Sequence, residues 1–295
     1  MEYIDAKSIV NRTKDPRWFG AEYNMNIYRG CPHGCIYCDS RSDCYQNSSF
    51  DQVRAKRDAL RIIRDDLERK AKTGVVSTGS MSDPYNPFEE ELLLTRRALT
   101  LLEAYGFGAA IATKSDLITR DIDVLSSIQR SMPVICKLTL TTCSDPLAAK
   151  LEPRAPSPSR RLAALERLSR AGLFTGVLMM PILPFLEDSP DNIRQIVDRA
   201  ADAGARFIYP AMGMTCRAGQ REFFYRQLEL CFPGQGLAER YRRRYGDRYL
   251  CTSPRARELW ALFQDQCRRR GLLCSMSRII AASRRGCGMD QLSLF

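Results

Sequence analysis

"YNMNIYRGCPHGCIYCDS", Tyr23 to Ser40, is the stretch that decides the fold of this 295-residue chain. It carries Cys31, Cys35 and Cys38 in the spacing C-x3-C-x2-C, together with His33, the single histidine of the sequence. Three thiolates at this spacing can surround one small volume. A structural zinc site wants four ligands, and Cys44 or His33 is available as the fourth. A [4Fe–4S] cluster held by three cysteines leaves one iron without a protein ligand, an open position for another molecule. The spacing alone admits both.

On either side of this stretch the chain alternates. "AEYNMNIYRG", just before Cys31, reads as a strand. Further apolar, β-branched runs follow at Val75 ("VVSTG"), Gly108 ("GAAIAT"), Val134 ("VICKLTLTT"), Thr175 ("TGVLMMPILP") and Ala205 ("ARFIYPAM"). Between them lie amphipathic helical stretches beginning at Phe50, Glu89, Ser157 and Ser189. Gly74, Gly106, Gly172 and Gly204 sit where helix C-caps belong, and Ser159 and Ser189 where N-caps belong. About six β-α units predict a parallel sheet with helices outside it, either a partial barrel or a doubly wound open sheet. In both, functional loops follow the C-terminal ends of strands, the position of Cys31. After about residue 214 the chain turns helical and basic, and Leu259, Leu262, Phe263 and Cys267 fall on one helical face. The predicted organisation is a barrel over 1–214, a basic helical extension over 215–285 and a tail over 286–295. Gly286 and Gly288 suggest a hinge in the tail.

A composition of 44% hydrophobic and 27% charged residues suits a soluble domain with a sizeable core. No apolar run reaches the roughly 18 residues of a membrane span, and the first twenty residues lack an apolar signal segment. A cytoplasmic location is therefore expected, where twelve cysteines point to metal or redox chemistry rather than disulfides. Of the formal charge of +11, residues 215–285 hold +10, from 16 arginines, no lysine and six acids. This asymmetry predicts a polyanionic partner, most simply DNA or RNA. The alternative is a solvated surface of arginine-rich helices. In "ERYRRRYGDRY", Arg242, Arg243 and Arg244 alternate with Tyr241, Tyr245 and Tyr249, a pattern suited to phosphates and unpaired bases.

"CPHGCIYC", with Tyr37 before the last cysteine, resembles the radical S-adenosylmethionine (SAM) superfamily. The longer "NIYRGCPHGCIYC" resembles its branch related to spore photoproduct lyase, a DNA repair enzyme. The resemblance implies an α/β fold, a partial (βα)6 radical SAM barrel over roughly residues 20–214, here followed by the basic, mainly helical C-terminal extension. It implies a [4Fe–4S] cluster on Cys31, Cys35 and Cys38, with SAM on the open iron. Reductive cleavage of SAM would give a 5′-deoxyadenosyl radical that abstracts hydrogen, fed by an electron donor such as flavodoxin or ferredoxin. Ser80, Ser82 and Asp83 resemble SAM-contacting positions, and Lys114 the residue that neutralises the SAM carboxylate. Thr139 and Thr141 are further candidates for the polar head of SAM, and Tyr37 for its adenine. Asn26 and Arg29 precede the cluster without an assigned role, and His33 is placed near the cluster sulfurs rather than on iron.

The chain departs from the lyase at two places. Ser80 stands where the lyase has a hydrogen-returning cysteine, and Asp39 where it has a tyrosine. Thymine-dimer reversal of that type is therefore not expected, although Cys44, Cys136 or Cys143 offers another thiol. A radical SAM enzyme for a protein or small molecule, or a non-catalytic cluster- or zinc-bearing nucleic-acid-binding protein, is the alternative. The final residues Gln291, Leu292, Ser293, Leu294 and Phe295 resemble the clamp-binding peptide of bacterial DNA polymerases and repair proteins, which makes the bacterial sliding clamp a candidate partner.

Overall fold

β-branched and aromatic residues favour the extended backbone, and six runs rich in them form parallel strands. These are β1 (Ala21–Met25), β2 (Val75–Thr78), β3 (Gly108–Thr113), β4 (Val134–Thr139), β5 (Thr175–Met179) and β6 (Phe207–Pro210) in a computed structural model that describes residues 1–46 and 49–287. They pair in chain order without reversal, and Val10–Arg12 adds an antiparallel edge beside β1. A doubly wound sheet reverses its order at a switch point, so the topology is that of the partial (βα)6 barrel. Helices α1 (Ala59–Glu68), α2 (Leu94–Ala104), α3 (Ile122–Gln129), α4 (Pro158–Arg170) and α5 (Pro190–Asp202) separate the strands. The tail residues Gln291, Leu292, Leu294 and Phe295 lie outside the described residues.

Outward-facing Val76, Ile111, Leu138, Val177 and Ile208 meet Ile63, Leu99, Leu125, Leu165 and Ile196 of the helices. Inward-facing Val75, Ala110, Ile135, Leu178 and Phe207 pack with Phe19 in the lumen. Lys137 breaks this inner pattern. It follows Ile135 on the inward face of β4, is 1% exposed and lies beside Ala112 and Gly176. Its Nζ stands 4.5 Å from the centre of the Phe19 ring. Among the described residues it has no ion pair, and burial pushes its amine down to about 7.

The extension comprises α6 (Gln220–Cys231), α7 (Leu237–Tyr245), α8 (Ala256–Arg269) and α9 (Met276–Ser283). β7 (Gly213–Thr215) and β8 (Leu250–Thr252), either side of α6 and α7, pair as a two-stranded antiparallel sheet. On α8, Leu259, Phe263 and Cys267 enter the outer barrel core. Helices α6 and α7 form a second core behind the cysteine loop, where Phe224, Leu228 and Tyr241 meet Ile36 and Tyr37. Helix α9 and the residues before it span the seam between the first and last strands. Leu273 bridges Phe207 of β6, Ile279 enters the lumen, and the Phe19 amide lies 3.3 Å from Met276 Sδ.

The structure corrects several local expectations. The helix starting at Phe50 is confined to Ala59–Glu68, because Arg54–Lys56 pairs with Glu2–Ile4 and Tyr28–Arg29 in a separate sheet. Strand pairing there overrides helical periodicity, and "AEYNMNIYRG" is correspondingly two strands rather than one. Gly74 is not a helix cap, whereas Gly106, Gly172 and Gly204 follow helix ends at positive φ. The N-cap of α4 is Ser157, not Ser159, with Pro158 in the first turn, where proline is favoured. Among the described residues no helix is long and apolar enough to cross a membrane.

Candidate active site

The chain turns sharply after Arg29, and only glycine fits the turn. Gly30 has φ +82°, and a Cβ there would lie 2.3 Å from the Gln52 carbonyl oxygen. The cysteine loop that follows is pinned from several sides. Cys31 N donates to Phe50 O at 2.8 Å, Ile36 N to Leu151 O at 2.9 Å, and Ser82 Oγ to Gly30 O at 2.5 Å. Arg154 N donates to His33 O at 3.0 Å.

These anchors place Cys31, Cys35 and Cys38 around one cavity of about 130 Å³, at the C-terminal ends of β2, β3 and β4. Ser80, Ser82, Asp83, Lys114 and Thr139 line the same cavity. Its floor requires a second glycine: Gly79 has φ +94°, and a Cβ there would lie 1.8 Å from the Ala112 carbonyl oxygen. Gly79→Ala is therefore expected to destabilise the protein by roughly 2–4 kcal/mol, from backbone strain plus overpacking. Urea denaturation checks this.

The candidate SAM contacts divide by what they already hold. Ser80 is exposed at the cavity and is free of such duties among the described residues. Asp83 joins the cysteine loop to β3. Its Oδ2 meets His33 Nε2 at 2.9 Å and accepts from Lys114 N at 2.8 Å, while Oδ1 accepts from Thr113 Oγ1 at 2.6 Å and Tyr85 N at 2.9 Å. Burial pushes this carboxyl up, but the His33 ring and the donors outweigh it and hold it down at about 2. Thr139 lines the cavity, and its carbonyl accepts from Arg161 Nη1 at 3.1 Å. Thr141 is buried away from the cavity lining, beside Glu187. Tyr37 is buried beneath Lys114, whose Nζ lies 5.6 Å from the ring centre, and its hydroxyl donates to Glu152.

Three groups absent from the sequence-based candidates act on or beside Lys114. Glu152 lies 3.7 Å from its Nζ, and buried Arg161 donates to the other oxygen of Glu152. Burial pushes Lys114 down, but the facing Cys35 thiol and Glu152 carboxylate more than offset this and raise it above the ordinary lysine value. Glu187 is wholly buried. Burial pushes it up to about 8, and its Oε1 has no hydrogen-bond partner among the described residues. Nothing in "KLEPRAPSPSRR" or "PFLEDSP" marks these residues as special before the chain is folded.

The thiols themselves fit an iron–sulfur cluster. Burial raises Cys31 to about 12 and pushes Cys35 and Cys38 up as well, so a metal that displaces their protons relieves that cost. His33 Nε2 is engaged by Asp83, and exposed Cys44 lies against Arg217 Nη1 at 3.4 Å. Cys44 does not line the cavity, whereas His33 does, and its buried Nδ1 has no hydrogen-bond partner among the described residues. Among the described residues no three His, Cys, Asp or Glu side chains are grouped to hold a single ion. Cluster ligands sit on separate irons and stand farther apart.

A larger cavity of about 720 Å³ is lined by Arg41, Gln46, Phe223 and Arg226, and shares Phe50 with the first. The smaller cavity is the candidate centre because the thiols border it. On α7, Arg242 is already paired with Glu229 and Glu239 and lies over the Tyr225 ring. Arg243 and Arg244 are exposed. Tyr241 and Tyr245 face inward, 0% and 5% exposed, which removes them as stacking platforms. Of the three tyrosines expected there, Tyr249 alone is open, at 50% exposure.

Known proteins share this architecture. A spore photoproduct lyase complexed with dinucleoside spore photoproduct superposes with a TM-score of 0.62 at 17% identity, covering 92% of this chain and 80% of that one. A variant of that lyase with bound AdoMet and dinucleoside spore photoproduct gives 0.63 at 18% identity, covering 89% and 77%. At such identities the likeness is one of fold. An uncharacterized protein of Mycobacterium tuberculosis is 30% identical over 246 residues, 81% of this chain and 72% of its relative. The profile of the radical SAM superfamily matches residues 25–200, from β1 and the cysteine loop through α5. With six strands in barrel order and three thiols at the end of the first, the chain belongs to the radical SAM superfamily.

Proposed function

We propose that the protein is a radical SAM enzyme acting on a nucleic acid, in DNA or RNA repair or modification. The observation that carries this is the convergence of Cys31, Cys35 and Cys38 with Lys114 on one cavity at the strand ends. In this reading the three thiolates hold a [4Fe–4S] cluster and SAM lies beside Ser80, Lys114 and Thr139. Bound there, cluster and SAM supply the one-electron chemistry of the superfamily, with a flavodoxin- or ferredoxin-class donor as the electron source. The chain's own part is to supply the Lys114 cation, to orient polar groups through Thr139 and Ser80, and to shield the thiols from water.

The arginines of the extension favour a polyanionic substrate. Arg226, Arg243, Arg244 and Arg248 are exposed and form no ion pair among the described residues. Arg226 also lines the larger cavity next to the cysteine loop, which is of a size suited to a nucleotide. If about four phosphates are contacted, log K for a polynucleotide should fall with log[salt] at a slope of order −3 to −4. Arg243→Glu with Arg244→Glu should flatten that slope while leaving iron content intact. An unchanged slope would mark a solvated helix face and favour a protein or small-molecule substrate. We extend the proposal to Gln291–Phe295 as a clamp-binding peptide, which predicts micromolar binding of the tail peptide to a bacterial sliding clamp, lost on Leu294→Ala or Phe295→Ala.

The deciding experiment is anaerobic reconstitution with dithionite, SAM and candidate oligonucleotides, reading 5′-deoxyadenosine. Its production, stimulated by a particular oligonucleotide, supports the whole proposal. Production indifferent to every nucleic acid retains the radical SAM activity and overturns the substrate class.

A further inference from the structure

Two anions compete for the Lys114 charge. Glu152 Oε1 lies 3.7 Å from its Nζ, and the carboxylate of SAM requires the same cation. A lysine matched with one buried carboxylate presents no net charge to anything else. Glu152, however, serves two cations. Arg161 reaches it from the side of α4, with the rest of its guanidinium fixed by donations to Thr139 O at 3.1 Å and Pro156 O at 2.7 Å. The Tyr37 hydroxyl also donates to Glu152. Side-chain exposures are 2% for Arg161, 1% for Glu152 and 16% for Lys114. Only Lys114 therefore opens on the cavity, and the surplus positive charge of the trio appears there.

We propose that Arg161 is a positioning residue that neutralises Glu152 from behind, leaving the Lys114 cation available to the carboxylate of SAM. This rests on the assignment of the cavity to SAM and deepens it. Arg161 is suited to the task because its guanidinium cannot lose its proton and its planar fork is held by two backbone carbonyls. Without it, Glu152 has Lys114 as its sole cationic partner, and a buried carboxylate holds its last cation tightly. Glu152 thus acts as an adjustable counter-charge, and Arg161 sets how much of Lys114 it takes.

The test is a double-mutant cycle on anaerobically reconstituted protein. It reads SAM binding without reductant, together with the cluster reduction potential followed by electron paramagnetic resonance. Arg161→Gln is expected to weaken SAM binding about tenfold or more, a change of about 1.4 kcal/mol per tenfold, and to make the potential more negative. Glu152→Gln is expected to bind SAM at least as tightly as wild type. The double variant should return toward wild type in both readouts, since the carboxylate that captured Lys114 is gone. A merely structural role for Arg161 would not be rescued by removing its partner. Should Arg161→Gln fail to fold, Glu152→Gln and the double variant still decide. Weakened SAM binding in Glu152→Gln would mean that Glu152 holds Lys114 in place, and overturns the proposal. Wild-type affinity in a folded Arg161→Gln does the same. A wild-type protein that takes up iron but binds no SAM overturns the cavity assignment itself, an outcome distinct from either.

Discussion

Cys35→Ala is expected to yield a colourless protein without SAM cleavage. Cys35 is the most buried of the three thiols, and the adjacent Ile36 amide is bonded to Leu151, so its sulfur is aimed by backbone as well as by packing. Removing it leaves two protein ligands for a cluster that already has one open iron. Anaerobically purified wild type should carry about four irons per chain, the stoichiometry of a [4Fe–4S] centre, and the variant close to none. The fold should survive, because the change deletes one sulfur from a core that also contains Leu151, Leu183 and Phe224. That deletion costs on the order of 1–2 kcal/mol. Iron analysis and the visible spectrum test the first part, and far-ultraviolet circular dichroism the second. Stoichiometric zinc in anaerobically prepared, colourless wild type would falsify the cluster assignment.

The second large effect is a gain. Lys137→Met is expected to stabilise the protein by on the order of 3–5 kcal/mol at neutral pH. Lys137 titrates near 7 in the folded chain against an unperturbed value of 10.5, and each pKa unit corresponds to about 1.4 kcal/mol. The folded-state pKa is depressed, so the unfolded chain binds the extra proton between about pH 7 and 10.5. Wild-type stability from this group therefore rises with pH across that window and is at its lowest below it. Among the described residues no carboxylate pairs with Nζ. Cys136, on the opposite face of β4, is the one titratable group acting on it, and Phe19 is its nearest aromatic ring. Methionine fills a similar length with no charge to desolvate. Denaturation at pH 7 and pH 9.5 should show a large gain at the lower pH and a smaller one at the higher. A loss of stability at both would show that the amine contributes more in the lumen than burial costs it.

The barrel could be read in advance because its signal is local and repeated. Each β-branched run is short enough to be a strand, and each is followed by a helix whose period differs from it. The cysteine loop carries its own spacing, so its position at the end of β1 followed as soon as that strand was placed. The site beyond the loop depends on contacts between distant residues. Glu152 lies in a proline-broken segment and Arg161 in the first turn and a half of an otherwise ordinary amphipathic helix, and they matter because of where α4 meets Lys114, about forty residues earlier in sequence. Asp83 was singled out for its place after β2, yet its oxygens go to His33, Thr113 and the backbone, an arrangement set by three loops folding together. Tyr241 and Tyr245 show the same limit. Their alternation with arginine resembles a nucleic-acid platform, while the helical period turns both rings toward Phe185 and Phe224. Arg54–Lys56 had a helical pattern and two neighbouring strands, and the strands prevailed.

The seam across the barrel has a bearing on how the chain folds. Phe19 and Met276, which meet there, are 257 residues apart in sequence. Contacts of such separation carry a large loop-closure entropy before they give any return, and they slow folding. The neighbouring strands can assemble pair by pair, but the apolar lumen is sealed only when α9 docks between β6 and the approach to β1. Until then Phe207, Ile135 and Leu178 border an open cleft, a surface on which partly folded chains can associate. Any aggregation during refolding, and any sensitivity to cleavage near Leu273, is therefore expected to trace to the docking of this one edge of the ring.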